Sequence, residues 1–384
     1  MPNPPTPPPP PGLHFVNVQG LQRVNMMKLE SRTYIQILPN TELFASLAVA
    51  VNIGLEMAES PRARQVLAQL GRAVIDSHAA NAQGAHMHGV PAAPPVADPN
   101  PSNMDWHVSN FLRAIRGDFP GIVVGARDLT SPDQLAATNR TPWWTGSWEA
   151  FNPKDAGVIY FNDSRVNDMV AAHVAASKAS RGSAAADRYS QRWRDFLFVF
   201  ASATLHELAH FFLGYLSGNG RPYTPDQITH LGYGSKRGAR GNIIPGGESG
   251  RWLENMLYGG SIEFYADESQ NTAQAGIPHL VDQQAVARQI LPTTIHRFIT
   301  DPRTYEFPFP VSSRGLTQRD RARQGIRTIG AMAGRVATES SPSQTVMRTM
   351  AAARDLPVYF VRIDELRRRP AQPQLPLKVE RMRV

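Results

Sequence analysis

The sequence predicts an α+β fold in which a small sheet packs on one buried helix, with additional helices N- and C-terminal to that core. Three observations carry this expectation. Phe196–Leu216 (FLFVFASATLHELAHFFLGYL) is apolar almost all round, the pattern of a helix enclosed by a core or a bilayer. Short β-prone runs, Tyr34–Leu38, Ile122–Val124 and Val158–Phe161, alternate with segments of helical period. The chain has 384 residues, enough to bury a core without the disulfides that its lack of cysteine rules out.

In chain order, residues 1–13 (MPNPPTPPPPPGL) form a proline-rich tail expected to be disordered or polyproline II. Residues 14–103 form a helical N-terminal segment ending in a proline-rich loop. Its helices are expected at Glu42–Met57 and Arg62–Ser77, separated at Ser60-Pro61, where proline suits a first helical turn. Five prolines between His86 and Ser102 mark the loop. Residues 104–300 are expected to form the main domain, the one built around the apolar helix. It comprises a helix at Val108–Arg116, two of the strands, a loop bearing Trp143, Trp144 and Trp148, a helix at Val166–Ser177 and the long helix Gln191–Leu216. Residues 301–384 are read as a basic, largely helical extension.

The net charge is +8 and the sequence pI near 9.9, with the excess late in the chain: Arg314–Arg327, Arg367, Arg368, Arg369, Lys378, Arg381 and Arg383. This reads first as a solvated basic surface. It lacks the interleaved aromatics of a single-strand nucleic-acid site, which leaves nucleic acid a secondary expectation as partner. The proline-rich start has neither a basic n-region nor an apolar h-region, and a cytoplasmic or nuclear home follows as the default expectation. His206, Glu207 and His210 at the centre of the apolar run make unaided membrane insertion costly, so no membrane partner is expected.

Those same residues carry the chemistry. His206-Glu207-Leu208-Ala209-His210 places two imidazoles at i and i+4, on one helical face and one turn apart, where both reach a single ion. Without cysteine, further ligands come from His, Asp or Glu, and neutral imidazoles suit Zn2+. Glu207 is turned about 100° around the helix from His206, off the ligand axis but close enough to meet a water held by the metal and to act as catalytic base.

HELAH on a buried helix resembles the active-site helix of the zincin (HExxH) metallopeptidases. The resemblance covers this helix and, more loosely, the sixty or so residues after it. It implies a zincin-like fold, a peptide or protein substrate, His206 and His210 as zinc ligands, and Glu207 as the base that drives water onto a peptide carbonyl. The metzincin extension is missing, because Phe211–Leu216 puts its glycine one place late and supplies no histidine. A gluzincin-like glutamate from a later helix becomes the leading third ligand.

Gly246–Gly260 reads as a short helix with glycine at both ends; Glu248 opens it, and small residues follow that permit close approach to the HELAH helix. Glu254 lies roughly opposite Glu248 in helical phase and pairs instead with Arg251 at i,i+3. Glu263, Glu254, His230 and Asp226 stay open as alternatives to Glu248. Glu263 fits an ExxxD pattern with Asp267, but Ser261–Ala266 alternates like a strand.

His230, Tyr233, Tyr258 and Tyr265 are available as oxyanion donors. Val158–Phe161 is the candidate edge strand for substrate backbone, with an ordinary sheet strand as its equal alternative, and the tryptophan loop is read as packing before pocket lining. The expected function is zinc-dependent peptide hydrolysis. The alternatives are a non-peptidase zinc protein or amidase on the same scaffold, and a nucleic-acid-associated protease.

Overall fold

The computed structural model describes residues 21–30, 33–88, 101–125, 129, 133–143, 147–218, 224–237, 242–270, 273–330, 332, 359–361 and 380–381. The proline-rich tail, most of the proline-rich loop, Trp144 and the arginines 367–369 lie outside the described residues.

Strands β1 (Leu21–Val24), β2 (Met26–Glu30) and β3 (Thr33–Gln36) precede helices α1 (Glu42–Glu59), α2 (Pro61–His88) and α3 (Met104–Gly117). Next come β4 (Gly121–Val124), β5 (Ala136–Arg140), the single turn α4 (Pro153–Ala156), β6 (Gly157–Phe161), α5 (Asp163–Lys178) and the long α6 (Ala184–Ser217). A small hairpin, β7 (Lys236–Arg237) with β8 (Ile243–Ile244), leads into α7 (Ser249–Tyr258). The remainder comprises β9 (Ser261–Tyr265), β10 (Ile277–Val281), β11 (Ala287–Ile290), α8 (Pro292–Thr300), β12 (Val311–Leu316), α9 (Gln318–Arg323) and β13 (Thr328–Gly330). Short strands β14 (Tyr359–Val361) and β15 (Glu380–Arg381) extend β1 into a three-stranded sheet. The chain is therefore α+β.

The first five-stranded sheet has the order β3-β2-β4-β6-β5. Its three central strands run parallel, and both edges are antiparallel to their neighbours. The pleat sorts the side chains by alternation: Ile122, Val124, Ile159 and Phe161 join the main core, while Val123, Val158 and Tyr160 form a second apolar cluster on the other face. Burial on both faces is what a parallel sheet requires, and it explains why these strands read as continuous apolar runs.

Against the core face lies α6, with α1 and α5 beside it. Ser183 caps its N-terminus by accepting from Ala186 N, and Gly218, at φ 56°, ends it. From Phe196 to Ser217 every residue is buried, so the all-round apolar pattern is that of a core helix in this structure. Among the described residues α6 is the one unbroken helix long and apolar enough to cross a membrane, and its most apolar stretch is wholly enclosed by protein. Phe196, Phe198, Phe200, Phe211 and Phe212 are all buried, each stabilising the fold by roughly 1.5–3 kcal/mol. Helix α1 approaches closely because Gly54 has no side chain: a Cβ there would lie 2.6 Å from Ala201 O and from Thr204 Cβ.

The second five-stranded sheet, β12-β11-β10-β9-β13, is antiparallel throughout. Helix α7 bridges it to α6, packing on α6 at one side and on β9 at the other.

Three expectations change here. The boundary at 103/104 does not divide the structure, because β2 lies before it and pairs with β4 beyond it. The segment after residue 300 is not largely helical where described: β12 and β13 complete the second sheet around a single six-residue helix, α9. Finally, Val158–Phe161 is no edge strand. As β6 it is flanked on both sides, and the edge beside α6 is β5.

Candidate metal centre

His206 and His210 project from the buried half of α6, with ring centroids 5.1 Å apart. Helix α7 meets them end-on. Glu248 is its N-cap, with extended backbone (φ −149°, ψ 93°), so its side chain leaves the helix axis and does not follow the helical wheel. Its Oε1 lies 3.1 Å from Nε2 of His206 and 2.7 Å from Nε2 of His210. The Oε2 oxygen accepts from Arg251 N and closes the first turn of α7.

The two glycines before Glu248 have a packing reason. A Cβ on Gly247 would collide with the carbonyls of Thr224 and Pro225, and one on Gly246 with that of Gly234. Glu248 N then donates to Ile228 O at 2.7 Å, fixing the residue by its backbone as well. Gly250 faces the ring of His206, where a Cβ would lie 2.5 Å from Cγ and Cδ2. The small residues after Glu248 thus admit α7 to this distance.

Three buried donors, one from each of His206, His210 and Glu248, come within 4.8 Å of one another, a set that can bind a metal ion. Two imidazole nitrogens and a carboxylate oxygen are the donor types zinc takes. The other nitrogens of the two rings are engaged as well. His206 Nδ1 lies 2.7 Å from Glu254 Oε1, and His210 Nδ1 lies 2.8 Å from Ser249 Oγ. Both outer partners come from α7, so each imidazole is left to present Nε2 to the centre.

Electrostatics agree with the geometry. Burial alone would lower the pKa of His206, but Glu248 and Glu254 on either side push it up to about 10. Burial would likewise raise Glu248, yet the two imidazoles hold it well below the usual carboxylate range. Both shifts have one cause, the opposite charges that His206 and Glu248 present to each other.

Glu207 is buried at 3% exposure, and its carboxylate makes no hydrogen bond or ion pair among the described residues. Its backbone carbonyl accepts from Thr138 of β5 at 3.4 Å, and that of His210 accepts from Arg140 of the same strand at 2.9 Å. Edge strand β5 therefore runs along α6 where the two histidines emerge.

The competing ligands lie elsewhere. Glu263 accepts from the hydroxyls of Tyr233 and, at 2.7 Å, Tyr265. Asp226 is exposed. Buried His230 is bonded through Nδ1 to Ser261 Oγ at 2.7 Å, with Nε2 unpartnered among the described residues. Glu254 touches His206 from outside the cluster.

Of the suggested oxyanion donors, Tyr233 and Tyr265 are committed to Glu263, and Tyr258 packs against Phe307 and Phe309. The two described tryptophans of the loop are packing: Trp143 stacks on Tyr215 and donates Nε1–H to Gly214 O at 3.0 Å, with Trp148 against the same tyrosine.

Sequence reasoning missed β5 and the outer roles of Glu254 and Ser249. In β5 (AATNR) a polar, period-free stretch gave no strand signal. For Glu254 the i,i+3 pairing with Arg251 is present at 3.1 Å, but the helical-phase argument treated Glu248 as inside the helix, whereas it is the cap. No family model, no curated protein and no solved structure matches this chain.

Proposed function

We propose that this chain is a zinc-dependent metallopeptidase with a zincin-like catalytic core. The observation that carries the reading is the convergence of His206, His210 and Glu248 within 4.8 Å, one residue along α6 from Glu207, whose carboxylate has no hydrogen-bond partner among the described residues. Its carboxylate oxygens are not among the fully buried unpartnered atoms of the described residues, so they face accessible space where a reactant can meet them.

His206, His210 and Glu248 would hold the ion. When bound there, zinc supplies Lewis-acid chemistry, polarising a carbonyl and making water acidic near neutral pH. Glu207 takes the proton from the water as it adds to the carbonyl carbon, then delivers that proton to the departing amine nitrogen. Strand β5 is an edge of the first sheet beside α6, a position suited to an extended peptide added as a further strand.

One observation favours a second reading. The cluster is deeply enclosed, with His210 the most open of its members at 6% exposure. Such a site admits a small amide more readily than a folded protein, which keeps an amidase in view. The test is hydrolysis by zinc-loaded protein of an unstructured peptide library and, in parallel, of short acyl amides. Wild type should cleave peptides, and Glu207→Gln should lose ~10²–10⁴-fold in rate while retaining its zinc. Cleavage of the amides alone would select the second reading. Full activity in Glu207→Gln would place the chemistry elsewhere.

A further inference from the structure

Behind His206, Glu254 divides its carboxylate as Glu248 does. Oε1 lies 2.7 Å from His206 Nδ1, and Oε2 accepts from Ile262 N at 3.0 Å and from Arg251 Nη1 at 3.1 Å. The same Arg251 nitrogen donates to Ile262 O at 2.6 Å. Arg251 and Glu254 thus grip both main-chain groups of one residue in β9. The guanidinium is buried at 2% exposure and lies over the Tyr233 ring, 4.3 Å from its centroid.

We propose that Arg251 is a positioning residue of the metal centre, acting through Glu254, and that strand β9 is the rigid support against which His206 is oriented. This rests on the metal reading above. A carboxylate accepting from an imidazole N–H fixes the tautomer and ring plane and makes the opposite nitrogen a stronger donor. It does so only if its own rotamer is fixed. Glu254 reaches His206 from one turn and a half along α7, and the bonds to Ile262 and Arg251 hold its side chain in that pose. The two ligand rings are consequently unequal: His206 is backed by a carboxylate tied to a sheet, and His210 by the neutral hydroxyl of Ser249.

The test is zinc affinity, by competition with a chromophoric chelator, together with the visible spectrum of the Co2+-substituted protein. Wild type is compared with Glu254→Gln, Arg251→Met, their double variant and Ser249→Ala, with the melting of each chelator-treated protein recorded separately. Glu254→Gln should bind zinc 10–100-fold more weakly and shift the Co2+ bands. Arg251→Met should weaken zinc in the same direction, and the double variant should bind no more weakly than Glu254→Gln alone, because the arginine acts through the glutamate. Ser249→Ala should cost less than Glu254→Gln. Should Arg251→Met fail to fold with its buried carboxylate uncompensated, the comparison of the double variant with Glu254→Gln still decides.

Affinities within twofold of wild type and an unchanged Co2+ spectrum in Glu254→Gln would overturn the proposal while leaving the metal reading intact. So would multiplicative losses in the double variant, or equal losses in Glu254→Gln and Ser249→Ala, which would mark a general loosening of α7. A wild-type protein that takes up neither zinc nor Co2+ would overturn both.

Discussion

Glu248 Oε1 lies 2.7 Å from His210 Nε2 while the other oxygen of the same carboxylate caps helix α7. One side chain thereby ties the start of a helix to a histidine of the cluster, and its two tasks separate by mutation. Glu248→Gln keeps an oxygen for the cap and loses the charge, so zinc affinity should fall by ~100-fold or more with little change in the stability of the chelator-treated protein. Glu248→Ala should lose the cap as well, at about 0.5–2 kcal/mol in a urea titration. Glu263→Gln should leave zinc affinity unchanged, because its carboxylate serves Tyr233 and Tyr265.

Gly250 of α7 faces the ring of His206 with no side chain between them. Alanine is the better helix former by about 1 kcal/mol, so on helix propensity alone Gly250→Ala would stabilise α7. Its Cβ would however lie 2.5 Å from the imidazole, inside any real contact. The clash should win: unfolding free energy should drop by about 1–3 kcal/mol and zinc affinity should drop with it, both measurable on one preparation.

A pH-dependent contribution to stability comes from His107 of α3, outside the cluster and 3.3 Å through Nδ1 from the hydroxyl of Tyr215. Its ring lies among Trp106, Trp148 and Tyr215, and burial, opposed weakly by Glu149, pushes its pKa down to about 4. The unfolded chain takes up this proton near pH 6.5, so between about 6.5 and 4 the unfolded state binds more protons than the folded one. The stabilisation is present above pH 6.5 and lost as pH falls through that window. The loss should be on the order of 1–2 kcal/mol after allowance for solvent screening. In urea titrations from pH 7.5 to 4, the difference between wild type and His107→Gln should shrink on acidification; a constant difference would contradict this.

The helices and the heart of the site were legible for a physical reason. Helix α6 must bury all its faces, and α1 and α7 carry their own punctuation in Pro61, Gly259 and the glycines before Glu248. Strands without an apolar run were not. β12 (VSSRGL) is half exposed and polar, and β5 becomes a strand only because β6 offers it a partner. That Glu248 meets the two histidines was legible from the small residues beside it. The outer partner Glu254 was not, because whether it reaches His206 depends on how α7 lies across α6 and β9, a tertiary relationship with no local period.

The most direct measurement of the central claim is metal content after zinc reconstitution and removal of excess ion, with wild type beside His206→Ala and His210→Ala. The account expects one zinc per wild-type chain and none retained by either variant, because two remaining ligands do not hold the ion against washing. Wild-type protein that emerges free of zinc, or a His210→Ala variant that keeps a full equivalent, would contradict it.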